Sequence, residues 1–209
     1  MDFQYSEKPV PHIILDNVFD ETELKEIWQE LDFLTYSRKL LSPEVTGSAF
    51  ELSATGEKLY KKQNSALFLD AMYYNRTLSN IIHHTRKFFG KAFLQQCADQ
   101  NFIFKYLQES NMDTTLLSYY ENNDHYDAHH DKSAMTILTW LYKEPKAFTG
   151  GELSFSDYNY TIPLVNNRSL IFPGVTNHAV NAVLMNEGVE PMKGFGRYVI
   201  TNFALFRAG

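Results

Sequence analysis

Leu24, Ile27, Trp28, Leu31 and Leu34 recur at the three- and four-residue spacing of a helix with one buried stripe. Asp20-Glu21-Thr22-Glu23 stands just before them and puts acidic residues in the first turn, where they favour the helix dipole. The pattern therefore predicts a helix opening near residue 20, preceded by a short strand over residues 10–16. Residues 41–58 hold Pro, Gly, Ser and Thr without a clear period and read as a long loop, a feature that in a compact domain is often functional. From 65 to 98 the pattern is helical again, with Leu67, Leu69, Met72, Leu78, Ile81, Ile82, Phe88, Phe89, Phe93 and Leu94 forming a broad apolar face.

After residue 114 the period shortens. Residues 115–120, 134–142, 153–155, 160–162, 169–172, 179–183 and 198–206 read as strands, the second nearly all apolar or β-branched as a central strand is. Thr149-Gly150-Gly151, Asn166-Asn167, Pro173-Gly174 and Gly194-Phe195-Gly196 punctuate them. Helices followed by about eight short strands indicate an α+β chain ending in a sandwich or jelly-roll barrel. The expectation is one domain over 1–209, with helical support about 1–113 and a barrel core about 114–207.

Composition agrees with one compact domain: 209 residues, 44% hydrophobic, 21% charged, with aromatic residues at 15% favouring a β-rich core. No apolar run approaches the roughly 20 residues of a membrane span. The N-terminus has neither the basic start nor the apolar stretch of a secretory signal. Cys97 is the only cysteine, so no intrachain disulfide forms and a cytoplasmic setting is the expectation. A net charge of −6 argues against a general nucleic-acid binder. Lys58, Lys61 and Lys62, the densest basic cluster, read as a solvated face.

Candidate chemistry sits between Tyr120 and Arg197. In a strand, alternate residues share a side, so His129 and Asp131 can face inward together while His130 faces out. A third ligand must come from another strand, and His178 follows the Pro173-Gly174 turn. Two imidazoles and one carboxylate on one face of a metal, with the other positions open, form the arrangement of non-haem Fe(II) oxygenases. His12, His83, His84 and His125 have no such partner pattern and read as structural.

The surrounding motifs resemble the Fe(II)/2-oxoglutarate-dependent oxygenase superfamily, in its prolyl 4-hydroxylase-like branch. The Tyr-rich lead-in over residues 120–131, the hydrophobic strand after it, Thr149-Gly150-Gly151-Glu152-Leu153, Leu170-Ile171-Phe172-Pro173 with His178-Ala179-Val180, and Gly196-Arg197-Tyr198 follow in the family's order over roughly 115–206. The resemblance implies a double-stranded β-helix, a jelly-roll or cupin-like barrel with supporting N-terminal helices. It also implies Fe(II) on His129, Asp131 and His178, 2-oxoglutarate as co-substrate, O₂, and ascorbate in support. Arg197 would grip the far carboxylate of 2-oxoglutarate, with Arg207 as the alternative, and Tyr120 would add a phenol hydrogen bond, with Tyr119 the alternative one residue away. Asp131 fills the position that iron-dependent halogenases leave to a small residue, which favours hydroxylation. Glu152 reads as structural.

Two departures stand out. The interval from His178 to Arg197 is longer than in related enzymes, which marks residues 184–193 as an inserted loop, and Val199 stands where some relatives carry a hydroxyl. The expected activity is hydroxylation of a peptidyl or free amino-acid side chain, proline first, with release of succinate and CO₂. Oxidative N-demethylation and a non-catalytic metal-binding barrel are the alternatives. Residues 41–58, 58–66 and 184–193 are the expected lids or substrate contacts, because loops around a rigid barrel carry specificity.

Overall fold

The structure is a computed structural model and describes residues 1–207. Two N-terminal strands, β1 (Asp2–Ser6) and β2 (His12–Asp16), form a hairpin before helix α1 (Glu21–Tyr36). The start of α1 is a capping box: the Asp20 carboxylate accepts from Glu23 N–H, and the Glu23 carboxylate accepts from Asp20 N–H, both at 2.9 Å. Ile27, Leu31 and Leu34 on its inner stripe are fully buried, each side chain contributing about 1.5–3 kcal/mol on leaving water.

The next segment departs from expectation twice. Residues 41–58 are not all loop, because β3 (Phe50–Leu52) and β4 (Lys58–Tyr60) form a hairpin. After β5 (Lys62–Gln63), residues Ser65–Phe68 form strand β6 rather than the first turn of a helix. Pairing of β6 with a neighbouring strand overrides the helical spacing of its apolar residues. The helical stretch that follows is broken into α2 (Leu69–Met72), α3 (Asn80–Thr85), α4 (Lys91–Ala98) and α5 (Lys105–Glu109), with tight turns at Arg76–Leu78 and Arg86–Phe89. Buried Glu30 of α1 secures this layer by accepting from Ser79 Oγ and Ile81 N, both at 2.8 Å.

The barrel strands are β7 (Met112–Tyr120), β8 (His125–His129), β9 (Met135–Leu141), β10 (Phe148–Gly150), β11 (Leu153–Phe155), β12 (Tyr160–Ile162), β13 (Arg168–Pro173), β14 (His178–Val180), β15 (Val183–Met185) and β16 (Arg197–Leu205). Residues 179–183, expected as one strand, divide between β14 and β15 in different sheets. A seven-stranded sheet runs β1-β2-β13-β9-β16-β7-β6, and a five-stranded sheet runs β12-β11-β14-β8-β5, every pair antiparallel. This is an α+β double-stranded β-helix, with helices against the outer face of the larger sheet.

Strand alternation decides which side chains reach the interior. On β16, Tyr198, Ile200 and Ala204 join the helix-covered core while Arg197, Val199, Thr201 and Phe203 line the barrel cavity. On β7, Leu117 and Tyr119 face the helices, and Leu116, Ser118 and Tyr120 face the cavity. Because both faces of this sheet are covered, β9 is buried at every position and is apolar or β-branched throughout. Tyr198 also hydrogen-bonds Thr35 of α1 at 2.6 Å, fixing β16 against the helix. No helix among the described residues is long and apolar enough to cross a membrane.

Candidate metal centre and cavity

His129 ends β8 and His178 begins β14, directly opposite each other in the antiparallel register. Their ring centroids lie 4.2 Å apart. Asp131 lies beyond the end of β8, so strand alternation alone does not orient it. Its backbone N–H donates to Gly174 carbonyl at 2.9 Å, which pins the loop to the Pro173-Gly174 turn. A Cβ at Gly174 would meet the Ser133 carbonyl oxygen at 2.2 Å, so the close approach needs glycine. The Asp131 carboxylate accepts from Thr136 Oγ1 at 2.6 Å. It lies 3.7 Å from His129 Nε2 and 3.7 Å from His178 Nε2. One donor atom from each of the three residues falls within 4.8 Å of the others. His130 is exposed, as expected.

Both imidazoles are prepared as ligands. His129 Nδ1 lies 2.8 Å from Asp127 carbonyl, and His178 Nδ1 lies 2.9 Å from Thr176 carbonyl. A carbonyl only accepts, so each Nδ1 carries the proton and each Nε2 presents its lone pair to the shared space. Burial, reinforced by the neighbouring His178, pulls the His129 pKa down to about 3 and keeps the ring neutral. Tyr126 stacks on the His129 ring at 3.5 Å, and Phe172 meets His178 edge-on at 4.9 Å. Two imidazoles with Nε2 turned to the shared space and an oriented carboxylate fit a divalent metal of the Fe(II) type.

The three residues lie on a cavity of about 620 Å³ that also takes in Tyr120 and Arg197. Arg197 is fully buried, and none of its three guanidinium nitrogens has a hydrogen-bond partner. Such a group is rare in a folded chain and points to a missing partner. Burial lowers its pKa to about 10, against the stabilising Tyr120 beside it. The guanidinium carbon sits 4.8 Å above the Tyr120 ring. Room for the side chain comes from Gly151 at φ +78°, where a Cβ would meet Arg197 Cδ at 2.8 Å. An unpaired, buried, forked cation fits a carboxylate, which can accept two parallel hydrogen bonds from it.

The alternatives raised by the sequence separate on opposite faces. Tyr119 points away from the cavity, donating to Glu121 at 2.7 Å and accepting from Gly196 N–H at 3.1 Å. Arg207 is exposed at the end of β16 and does not line the cavity. Of the expected substrate loops, Leu41, Thr46, Gly47, Ser48 and Ala49 line the cavity, but among the described residues nothing from 184–193 does. That stretch instead begins in β15, where Leu184 and Met185 pair with β10, and ends near β7, where Met192 N–H donates to Glu121 at 2.7 Å.

Lys62 overturns the solvated-face reading of the basic cluster. Lys58 and Lys61 are exposed and paired at 3.0 Å with Glu44 and Glu51. Lys62 pairs across to Tyr126 of β8 and turns into the cavity, where burial lowers its pKa to about 8. Buried Asn64, next to Tyr120 and with an unpartnered side-chain nitrogen, was likewise not singled out by the sequence. Only the pairing of β5 with β8 puts Lys62 there, and two residues carry too little period to announce a strand.

Residues 115–205 match the family model described as the 2OG-Fe(II) oxygenase superfamily. A stretch of 119 residues, 56% of this chain, is 29% identical to the multifunctional procollagen lysine hydroxylase and glycosyltransferase of Caenorhabditis elegans. The match covers 15% of that relative's length. Among solved structures, a prolyl-4-hydroxylase of Pseudomonas putida superposes with a TM-score of 0.53 at 13% identity, over 94% of this chain and 92% of that one. A 2OG-Fe(II) oxygenase family oxidoreductase from Burkholderia pseudomallei gives a TM-score of 0.56 at 12% identity, over 92% and 84%. At these identities the structural likeness is one of fold.

Proposed function

We propose that this chain, whose residues 115–205 match the family model of the 2OG-Fe(II) oxygenase superfamily, binds Fe(II) through His129, Asp131 and His178 and hydroxylates an amino-acid side chain, peptidyl or free, with proline the leading candidate. The observation that carries the reading is the pairing of a three-donor cluster with a fully buried, unpartnered Arg197 in the same cavity. One feature fits the metal and the other fits the far carboxylate of 2-oxoglutarate. With O₂ and 2-oxoglutarate, bound iron supplies an oxidative decarboxylation to succinate and CO₂ coupled to oxidation of a C–H bond, with ascorbate supporting the reduced metal.

The protein's own part is positioning and exclusion. Asp127 and Thr176 carbonyls hold the two imidazoles in one tautomer, and Thr136 holds the Asp131 carboxylate. Arg197 orients the co-substrate by paired, charge-assisted hydrogen bonds, backed by the Tyr120 ring. Leu116, Leu138, Val180 and Val199 wall the cavity with apolar surface that keeps water from the reacting centre. Val199 leaves no hydroxyl on β16 at that position, but Ser118 lies directly across from it on β7 and faces the same cavity.

Incubation of the iron-loaded protein with 2-oxoglutarate, ascorbate, and pools of peptides and amino acids tests the reaction class. A product heavier by one oxygen atom supports hydroxylation, whereas formaldehyde release with loss of a methyl group replaces it by N-demethylation.

A further inference from the structure

Three cations line the cavity, and Lys61 is paired with Glu51 at 3.0 Å, which leaves Arg197 and Lys62. Arg197 lies over Tyr120, with Glu152 the carboxylate whose field it feels. Lys62 Nζ lies 5.4 Å from the centre of the Tyr126 ring, which itself stacks on the metal-binding candidate His129. Among the described residues Lys62 has no ion-pair partner, and the carboxylate whose field reaches it is Asp131. Asp127 at the cavity mouth does not fill that role, because its side chain is 56% exposed and sits 3.7 Å from His125.

Counted over the groups that line the cavity, which do not include Glu152, the charges leave one remainder. Under the proposed function, Asp131 and the near carboxylate of 2-oxoglutarate offset the metal dication, and the far carboxylate offsets Arg197. Lys62 keeps its positive charge with no counter-charge, in an apolar-walled space and beside a dication. An ammonium in that position demands an anion. We propose that Lys62 receives a carboxylate of the prime substrate, so that the substrate is an acid with an apolar body, oxidised close to that carboxylate. The proposal rests on the oxygenase reading. A lysine suits the task because a compact point charge on a flexible stem adapts to the ligand without imposing a fixed fork.

The test is calorimetric titration of native protein and of Lys62→Met and Lys62→Gln variants, each loaded with Mn(II) and the inert co-substrate analogue N-oxalylglycine. The probes are acid and amide pairs: N-acetylproline with its amide, hexanoate with hexanamide, and capped Pro-Glu with capped Pro-Gln peptides. The first two pairs offer a free acid and the third a side-chain carboxylate. Native protein is expected to prefer the acid of at least one pair by roughly tenfold or more, and both variants to bind acid and amide alike. Absence of any acid preference in native protein, or its survival in both variants, overturns the proposal. So does a loss of N-oxalylglycine binding in the Lys62 variants as large as that in Arg197→Met, which would make Lys62 part of the co-substrate anchor. Succinate formation by the iron-loaded native protein tests the oxygenase reading separately, so a failure of either is identified by itself.

Discussion

His129 and His178 face each other across β8 and β14, and each commits its Nδ1 to the backbone carbonyl two residues upstream. The same local device thus fixes both tautomers, and the two Nε2 atoms meet the one carboxylate of Asp131 at equal 3.7 Å separations. His129→Ala and His178→Ala are each expected to abolish stoichiometric metal binding, measured by titration with Mn(II) or Fe(II). His130→Ala, at an exposed position, is expected to retain it. Equal loss in all three variants would contradict the assignment.

Thr136 touches no metal-facing atom other than through Asp131 Oδ2, at 2.6 Å, and its own hydroxyl is held by Ser133 at 2.8 Å. Thr136→Val keeps the shape and removes the bond. Metal affinity is expected to fall roughly 10–100-fold, the usual effect of losing such an outer partner. An unchanged affinity would show that the Gly174 contact alone orients the carboxylate.

Arg197 carries an opposition between function and stability. A fully buried guanidinium without hydrogen-bond partners destabilises the ligand-free fold, so Arg197→Met is expected to raise the melting temperature of the metal-loaded, 2-oxoglutarate-free protein. Native protein is expected to gain about 2.7 kcal/mol at a hundredfold excess of 2-oxoglutarate over its dissociation constant, and the variant is expected to gain almost nothing. A variant stabilised by 2-oxoglutarate as strongly as native protein would remove Arg197 from the anchor.

Gly151 tests the same anchor from behind. Alanine there meets Arg197 Cδ at 2.8 Å and Val183 Cγ2 at 3.0 Å, on a backbone at φ +78°. The strain alone is expected to cost about 1–3 kcal/mol, and the displaced guanidinium is expected to raise the 2-oxoglutarate requirement. Denaturant unfolding and a co-substrate titration measure the two effects independently.

Much of this was legible in the chain. The α1 stripe and its acidic start, the apolar and β-branched run of β9, and the Gly-Gly turn are all visible as local patterns, and the ordered motifs group His129, Asp131, His178 and Arg197. What stayed hidden depends on pairing between distant segments. Ser65–Phe68 carries helical spacing and becomes a strand only because β7 is there to receive it. Lys62 faces the cavity only because a two-residue strand docks on β8. That Tyr120 rather than Tyr119 faces the cavity follows from the register Arg197↔Tyr120, which sequence alone leaves free by one residue. Asp131 reached its expected place for a different reason from the one alternation suggested, a backbone bond to Gly174.

The most direct measurement of the central claim is succinate produced from 2-oxoglutarate by anaerobically iron-loaded protein, exposed to air with ascorbate and no added prime substrate. Slow but enzyme-dependent succinate formation is expected from native protein, with none above background from His129→Ala. No iron binding and no succinate from native protein, or equal succinate from His129→Ala, would contradict the account.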